Sequence, residues 1–202
     1  MQASRRRLLS IGLGAVGAAA APAIAGAHGR VKSPALDLGH SLFSSLTSGL
    51  GTGPRETFLH NTHTGESLKA VYWEKGKYVP DALSSLMKVL RDWRNGEEHM
   101  MDPRVFDLLH TVQAKVESKQ PIQIISGYRS AKTNSAMHEK SSQVASNSYH
   151  TKGMATDIRI PGVDLRNLHK AALSLKAGGV GFYPVSNFVH VDVGPLRQWA
   201  GT

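Results

Sequence analysis

The chain has 202 residues, of which 41% are hydrophobic and 19% charged, and its formal net charge is +9. This length and composition are typical of one globular domain, and no apolar run outside the extreme N-terminus is long enough to span a membrane. The absence of cysteine excludes disulfides, thiolate nucleophiles and Cys-based metal sites. Any metal must therefore be bound by His, Asp or Glu.

The N-terminus has the features of an export signal. Residues 1–27 combine a basic cluster, Arg5 to Arg7, with a weakly apolar stretch rich in Gly and Ala and two small-x-small cleavage sites. Two leucines follow the arginines directly, as in a twin-arginine signal. We expect cleavage after Ala25 or, preferably, after Ala27, and an uncleaved membrane anchor is the alternative. Either way the domain lies outside the cytoplasm, and the expected location is the periplasm.

The basic charge alone would suit a nucleic acid. Without the three arginines of the signal the net charge falls to about +6, which is equally compatible with anionic cell wall or lipid headgroups. Because export argues against the first reading, we expect no nucleic-acid partner. We also expect no integral membrane span once the signal is removed.

The first half of the mature chain predicts a leader, a hairpin and two helices. Residues 28–54, rich in Gly, Ser and Pro, indicate a flexible leader, and a single domain is expected over 55–202. Strand-like runs at 55–60 and 67–73 flank a polar turn. Apolar residues three or four apart then predict one helix from Pro80 to Asn95-Gly96 and a second that begins at Asp102-Pro103, a typical N-cap.

The second half predicts further strands around one more helix. Residues 121–126 indicate a buried strand that leads into a loop, 131–146 are polar and partly helical, and 164–176 indicate a capped helix. Strands are expected at 153–160, 180–183 and 188–193. The predicted fold is α+β, with a small, largely antiparallel sheet and helices packed on one side.

Three side chains have the spacing of a metal site. His150 and Asp157 flank a turn that contains Gly153, and His190 alternates with Asp192 on the last predicted strand. If that strand pairs with the one bearing Asp157, two imidazoles and one carboxylate converge, which is the ligand set of a catalytic zinc site. Since ten histidines offer many chance pairs, the alternative is that both histidines are structural and hydrogen-bonded to neighbouring aspartates.

These segments also carry a family resemblance. The pattern S-x-H-x-x-G-x-A-x-D at 148–157, H-V-D at 190–192 and S-G-Y-R-S at 126–130 resemble the D-alanyl-D-alanine metallopeptidase superfamily, which includes the hedgehog zinc domain. More closely, residues 149–162, 173–184 and 186–194 resemble the exported murein endopeptidase K family. The similarity extends over roughly residues 55–200 and includes the twin-arginine signal. It implies a hedgehog or D-Ala-D-Ala peptidase-like fold.

The resemblance implies roles for four residues. His150, Asp157 and His190 correspond to the three zinc ligands. Arg129 corresponds to an arginine that stabilises the oxyanion beside the scissile carbonyl. A surface ion pair is the alternative for Arg129.

One position departs from the superfamily pattern. Many members place a glutamate general base three residues before the last histidine ligand, and this chain has Asn187 there. Asp192 is the remaining nearby carboxylate, so we expect it to act as general base or to orient the metal-bound water. The alternative is that it holds a histidine ligand in its tautomer.

The resemblance implies a zinc endopeptidase whose partner is peptidoglycan. It would hydrolyse the cross-links between stem peptides, from D-Ala to diaminopimelate and between two diaminopimelate residues. Within the enzymes, the alternative is a D,D- or L,D-carboxypeptidase that trims uncrosslinked stems. Outside the enzymes, the alternative is a non-catalytic cell-wall-binding zinc domain, for which Asn187 is the best support.

Overall fold

Eight strands form one sheet in the computed structural model, which describes residues 51–141 and 144–201. The strands are β1 (Arg55–Asn61), β2 (Ser67–Glu74), β3 (Lys77–Tyr78), β4 (Ile122–Ser126), β5 (Ala155–Arg159), β6 (Gly179–Tyr183), β7 (Phe188–Asp192) and β8 (Arg197–Ala200). Their order across the sheet is β3-β2-β1-β4-β5-β7-β6-β8. The predicted signal peptide, 1–27, and the leader up to residue 50 lie outside the described residues.

The sheet is mixed. β1 pairs with β4, and β6 with β8, in parallel, whereas the other neighbouring strands are antiparallel. The expectation of a small, largely antiparallel sheet is therefore corrected to an eight-stranded mixed sheet. The parallel pairs were not predictable from local patterns, because each joins strands that are separated by other elements along the chain. The α+β class itself is confirmed.

Within the described ranges four α-helices accompany the sheet: α1 (Pro80–Val89), α2 (Pro103–Lys115), α3 (Ala131–Lys140) and α4 (Leu165–Leu175). α2 begins as predicted, since the Asp102 carboxylate accepts a hydrogen bond from the Arg104 backbone N–H at 3.0 Å and Pro103 follows as the first helical residue.

The prediction that the first helix continues to Asn95 is wrong. α1 ends at Val89, and the chain then turns around Asp92, whose backbone N–H donates to the carbonyl of Glu97 at 2.9 Å. The buried Asp92 carboxylate accepts hydrogen bonds from the backbone N–H groups of Arg94 and Ser130. Aspartate that bonds to backbone groups in this way favours a turn over a helix.

One face of the sheet carries the hydrophobic core. Ile158 and Val189 pair across β5 and β7, and both belong to a single apolar cluster to which α1, α2 and α4 also contribute. α3 contributes no residue to this cluster. Because side chains alternate along a strand, the neighbours of these core residues point to the opposite face, where the candidate site lies.

A buried aspartate links α2 to the hairpin. Asp107 is fully buried and accepts hydrogen bonds from Arg55 Nη1 at 2.8 Å and from the hydroxyls of Tyr72 and Tyr78 at 3.1 and 2.6 Å. A buried charge without a partner is costly, so this group ties β1, β2 and β3 to the helix layer.

We expect Arg55→Met to lower the free energy of unfolding by about 3 kcal/mol, because it leaves the Asp107 carboxylate buried without its counter-charge. Urea denaturation measures this loss. Lys69→Met is the matched control: Lys69 pairs with Glu56 at 2.9 Å, but both side chains are more than half exposed, and the expected loss is below about 1 kcal/mol. Equal losses in the two variants would contradict the assignment.

Candidate metal centre

His150 lies in a 3-10 turn, Tyr149–Lys152, between α3 and β5. The Ser148 hydroxyl begins the turn and accepts from the backbone N–H of His150 at 3.3 Å. Gly153 ends it with a φ of 65°, and a Cβ at this position would collide with the carbonyl oxygen of Met100. Only glycine accepts both the positive φ and the close approach of the Met100 carbonyl without strain. The turn therefore holds the backbone of His150 in one conformation.

Asp157 and His190 face each other across β5 and β7. The antiparallel register pairs these two residues directly, one position along from the apolar pair Ile158 and Val189. Directly opposed side chains on one face of a sheet lie close together. The sequence pattern predicts a metal site only if the strand that carries His190 pairs with the strand that carries Asp157, and these strands do pair.

The three candidate ligands converge. Asp157 Oδ1 lies 2.9 Å from His190 Nδ1 and 3.3 Å from His150 Nε2, and the two ring nitrogens are 3.1 Å apart. All three side chains are buried. Among residues 51–141 and 144–201, no other group of three or more His, Asp or Glu side chains brings its ligand atoms this close together.

Each imidazole is fixed through its second ring nitrogen. His150 Nδ1 donates to the carbonyl oxygen of Gly127 at 2.8 Å, and His190 Nε2 donates to Asp192 Oδ2 at 3.0 Å. These bonds leave His150 Nε2 and His190 Nδ1 directed at Asp157. Metal-binding histidines have such outer hydrogen bonds, which set the tautomer and the ring orientation.

Asp192 lies behind His190, at the ring nitrogen that faces away from Asp157. Its side chain is fully buried, and Oδ1 accepts from two backbone N–H groups at 3.1 and 2.8 Å. The Arg197 guanidinium donates to both oxygens, at 2.6 Å to Oδ2 and 3.2 Å to Oδ1. The structure therefore places this carboxylate beside a candidate ligand, outside the group of three ligand atoms.

Arg129 lies beside the other carboxylate oxygen of Asp157. Its Nη2 is 3.9 Å from Asp157 Oδ2, and its Nη1 donates to Asn134 at 3.3 Å. Nε is buried and has no partner among the described residues. Because Arg129 is only 7% exposed, the alternative of a surface ion pair is wrong. Its backbone N–H donates to the carbonyl of His150 at 3.2 Å, which joins its loop to the ligand turn.

Asn187 lies in the exposed turn between β6 and β7. Its φ of 54° is in the left-handed region, which asparagine adopts more readily than most residues. The side chain at this position is a turn residue that carries no ionisable group.

Comparison with known proteins gives the family. The sequence model of the family described as peptidoglycan L,D-endopeptidase MepK matches residues 50–199. The peptidoglycan L,D-endopeptidase MepK of Escherichia coli K12 is 43% identical over 197 residues, which cover 98% of this chain and 97% of that protein. A Haemophilus influenzae protein named "Probable peptidoglycan L,D-endopeptidase MepK" is 43% identical over 149 residues, 73% of this chain and 80% of its own length. The chain belongs to this family.

Membership in the MepK family confirms the resemblance found in the sequence and makes the chain a peptidase. No solved structure matches it, so a hedgehog-like fold stays an expectation. Within the part of the chain that the structure describes, no helix is both long enough and apolar enough to cross a membrane.

In the candidate metal centre, buried groups of opposite charge shift one another's pKa values. Burial alone would raise the pKa of Asp157, but the two imidazoles outweigh it and hold that pKa well below its usual range. Burial would lower the pKa of His190, but hydrogen bonds to Asp157 and Asp192 raise it to about 8. For His150 burial prevails and lowers the pKa. The two carboxylates therefore favour the protonated form of His190, whose Nδ1 lies 2.9 Å from Asp157 Oδ1.

Sequence reasoning missed β8 and its two site residues. The Arg197 guanidinium, besides bonding to Asp192, stacks 4.5 Å from the ring centroid of Tyr149 and 5.1 Å from that of Trp199. The Trp199 ring lies 5.1 Å from the His190 ring. The alternation of Arg197 and Trp199 was the available signal, but a run of four residues is too short to indicate a strand.

We expect His190 of the metal-free protein to titrate near pH 8, and Asp192→Asn to lower that pKa, because the substitution removes one of the two carboxylates that stabilise the imidazolium. NMR of the imidazole resonances measures both values. Since the folded pKa exceeds the unfolded value of about 6.5, this group stabilises the metal-free protein fully below pH 6.5, and the contribution is lost as pH rises through 8. A wild-type pKa below 6.5 would contradict this account.

Proposed function

We propose that the protein is a zinc-dependent endopeptidase that hydrolyses the peptide cross-links of peptidoglycan. The convergence of His150, Asp157 and His190 carries the proposal. Family membership, with relatives named as peptidoglycan L,D-endopeptidases, supports the substrate class. The bonds proposed are those from D-Ala to diaminopimelate and between two diaminopimelate residues.

The donor set fits zinc. Two imidazole nitrogens and one carboxylate oxygen, with a further position for water, are the ligands of catalytic zinc sites. Both imidazoles direct one nitrogen at Asp157, because the other nitrogen of each ring donates to Gly127 or Asp192. This arrangement supports a cation site. Two purely structural histidines would not need hydrogen bonds that direct one nitrogen of each ring at the same carboxylate.

The reaction requires a nucleophile and a way to bear negative charge. Zinc, when bound, supplies a water whose pKa is lowered toward about 7 and polarises the scissile carbonyl. We assign stabilisation of the developing oxyanion to Arg129, because its buried guanidinium lies beside Asp157 and its Nε–H has no partner among the described residues. Stabilisation of this kind contributes about 3 kcal/mol to lowering a barrier.

We assign Asp192 to positioning rather than to proton transfer. Both its oxygens accept hydrogen bonds, and one of them receives the N–H of His190. A carboxylate in these contacts fixes the histidine tautomer and raises its basicity as a ligand. Of the roles considered for Asp192, the geometry favours this one over general base.

The proposed site of action is the periplasm. Residues 1–27 support export by the twin-arginine pathway, and the basic mature chain suits the anionic wall. Peptidoglycan is the proposed partner, and nucleic acid is not.

Digestion of purified sacculi tests the proposal. The mature domain is incubated with sacculi with and without a chelator, and the muropeptides are separated by chromatography and identified by mass spectrometry. We expect dimeric muropeptides to disappear, the chelator to prevent this, and zinc to restore it. Shortening of monomeric stems with intact dimers would instead indicate a carboxypeptidase.

A wall-binding domain without activity is the second candidate, and Asn187 in place of a glutamate is the observation that favours it. Sacculi left unchanged by protein that holds one equivalent of zinc and binds the wall would support that candidate and contradict an endopeptidase.

We expect His150→Ala, Asp157→Ala and His190→Ala each to abolish zinc retention and cross-link cleavage together, because three protein ligands are the usual minimum for a catalytic site. Zinc content after dialysis and dimer loss measure the two effects. His60→Ala is the control, since His60 lies on β1 and contacts Ser67 at 2.8 Å. Full zinc retention in any of the three variants would remove that residue from the ligand set.

We expect Asp192→Asn and Arg197→Gln to weaken zinc binding by about 10- to 100-fold, because outer-shell partners tune ligand orientation and basicity. Competition with a chromophoric chelator measures affinity apart from turnover, and Arg197→Lys should recover part of the loss. Unchanged affinity in Asp192→Asn, with cleavage lost, would instead support Asp192 as the general base.

A further inference from the structure

The guanidinium of Arg94 is held in a fixed orientation because it stacks on an aromatic ring. Its guanidinium carbon lies 4.3 Å from the ring centroid of Trp93, and the Trp93 ring stacks on His63 at a centroid distance of 4.0 Å. A guanidinium stacked on one face keeps its N–H edge available for a planar partner. The Arg94 side chain is 31% exposed, so this edge is accessible.

Among residues 51–141 and 144–201, the Arg94 guanidinium has no hydrogen-bond acceptor, and its ion pair with Asp92 is long. The nearest carboxylate oxygen, Asp92 Oδ1, is 3.9 Å away, and the Asp92 carboxylate already accepts the backbone N–H groups of Arg94 and Ser130. A partly buried arginine without hydrogen-bond acceptors is suited to an incoming anion.

The turn that carries Arg94 is attached to the loop that carries Arg129. Besides the bond from the Ser130 N–H to Asp92 at 3.0 Å, the Asn95 side-chain amide donates to the Ser130 hydroxyl at 3.0 Å. Ser130 directly follows Arg129, whose guanidinium lies 3.9 Å from the carboxylate of Asp157. Burial lowers the pKa of Arg94, while the charges of Asp92 and Asp157 oppose that shift. These contacts place Arg94 at the rim of the metal centre.

We propose that Arg94 binds a free carboxylate of the substrate at the rim of the metal centre. The inference rests on the proposed function and specifies which chemical group of the substrate the site recognises. Arg129 and a bound cation both add positive charge here, so an anionic group is attracted and an ammonium group is repelled. A carboxylate matches the fork of a guanidinium and would receive two parallel hydrogen bonds.

Peptidoglycan cross-links offer such a group next to the bond that is cut. Where the scissile nitrogen belongs to diaminopimelate, the carbon that bears this nitrogen also bears a free carboxylate. Binding it would orient the scissile amide relative to the metal and Arg129, and would favour cross-links that end in diaminopimelate over those that lack this charge. Arg94 is thus a specificity residue of the proposed reaction.

The test compares two cross-linked dimers that differ only at this carboxylate, which is free in one and converted to a carboxamide in the other. Steady-state kinetics with zinc-loaded protein give kcat/KM for each. We expect the wild type to prefer the free acid by about tenfold or more, since a charge-assisted hydrogen bond is worth at least about 1.4 kcal/mol. Arg94→Gln should raise KM for the free acid and bring the ratio of the two kcat/KM values close to one.

Two further variants make the result specific. Arg91→Gln is the matched control, because Arg91 belongs to the same segment but donates to Glu66 at 2.6 Å, and we expect it to keep the wild-type ratio. Arg94→Lys retains the charge without the fork and should give an intermediate ratio. Melting temperatures near the wild-type value show that the variants are folded.

The outcomes separate this inference from the proposed function. If the wild type cleaves both dimers equally well, or if Arg94→Gln keeps the preference for the free acid, the role of Arg94 is refuted and the endopeptidase stands. If zinc-loaded wild type cleaves neither dimer, both are overturned.

Discussion

The antiparallel register between β5 and β7 is the constraint on which the site depends. It sets Asp157 opposite His190 on one face and sends Ile158 and Val189 into the core on the other. A slip of one residue would turn the carboxylate and the imidazole into the apolar layer and expose the core residues. The hydrophobic packing that stabilises the sheet therefore also fixes the geometry of the candidate metal ligands.

Contacts around these side chains explain how opposite charges remain buried together. The Asp157 carboxylate faces two imidazoles, and Asp192 is held between His190 and Arg197. Charged groups removed from water are tolerated when their hydrogen bonds are filled. A histidine binds a metal in its neutral form, so metal binding would release the proton that these carboxylates favour on His190. The contacts that balance charge without a metal thus also orient the ligand atoms.

Much of the candidate site was predictable from local sequence, because the spacing of His150, Asp157 and His190 and their neighbouring motifs lie within short segments. The mixed sheet was not predictable, since its parallel pairs depend on contacts between distant strands. The end of α1 was misjudged because an apolar spacing continues to Trp93, while buried Asp92 imposes a turn. Arg197 was missed because its strand is short and its partner, Asp192, is identified only by the folded chain.

Zinc K-edge X-ray absorption of the protein loaded with one equivalent of zinc tests the central claim most directly. The account predicts a first shell with two imidazole nitrogens at about 2.0–2.1 Å and a carboxylate oxygen at about 2.0–2.2 Å, completed by water. In His190→Ala one imidazole should disappear from that shell. A shell without imidazole, or one that is unchanged in His190→Ala, would show that zinc binds elsewhere and would contradict the account.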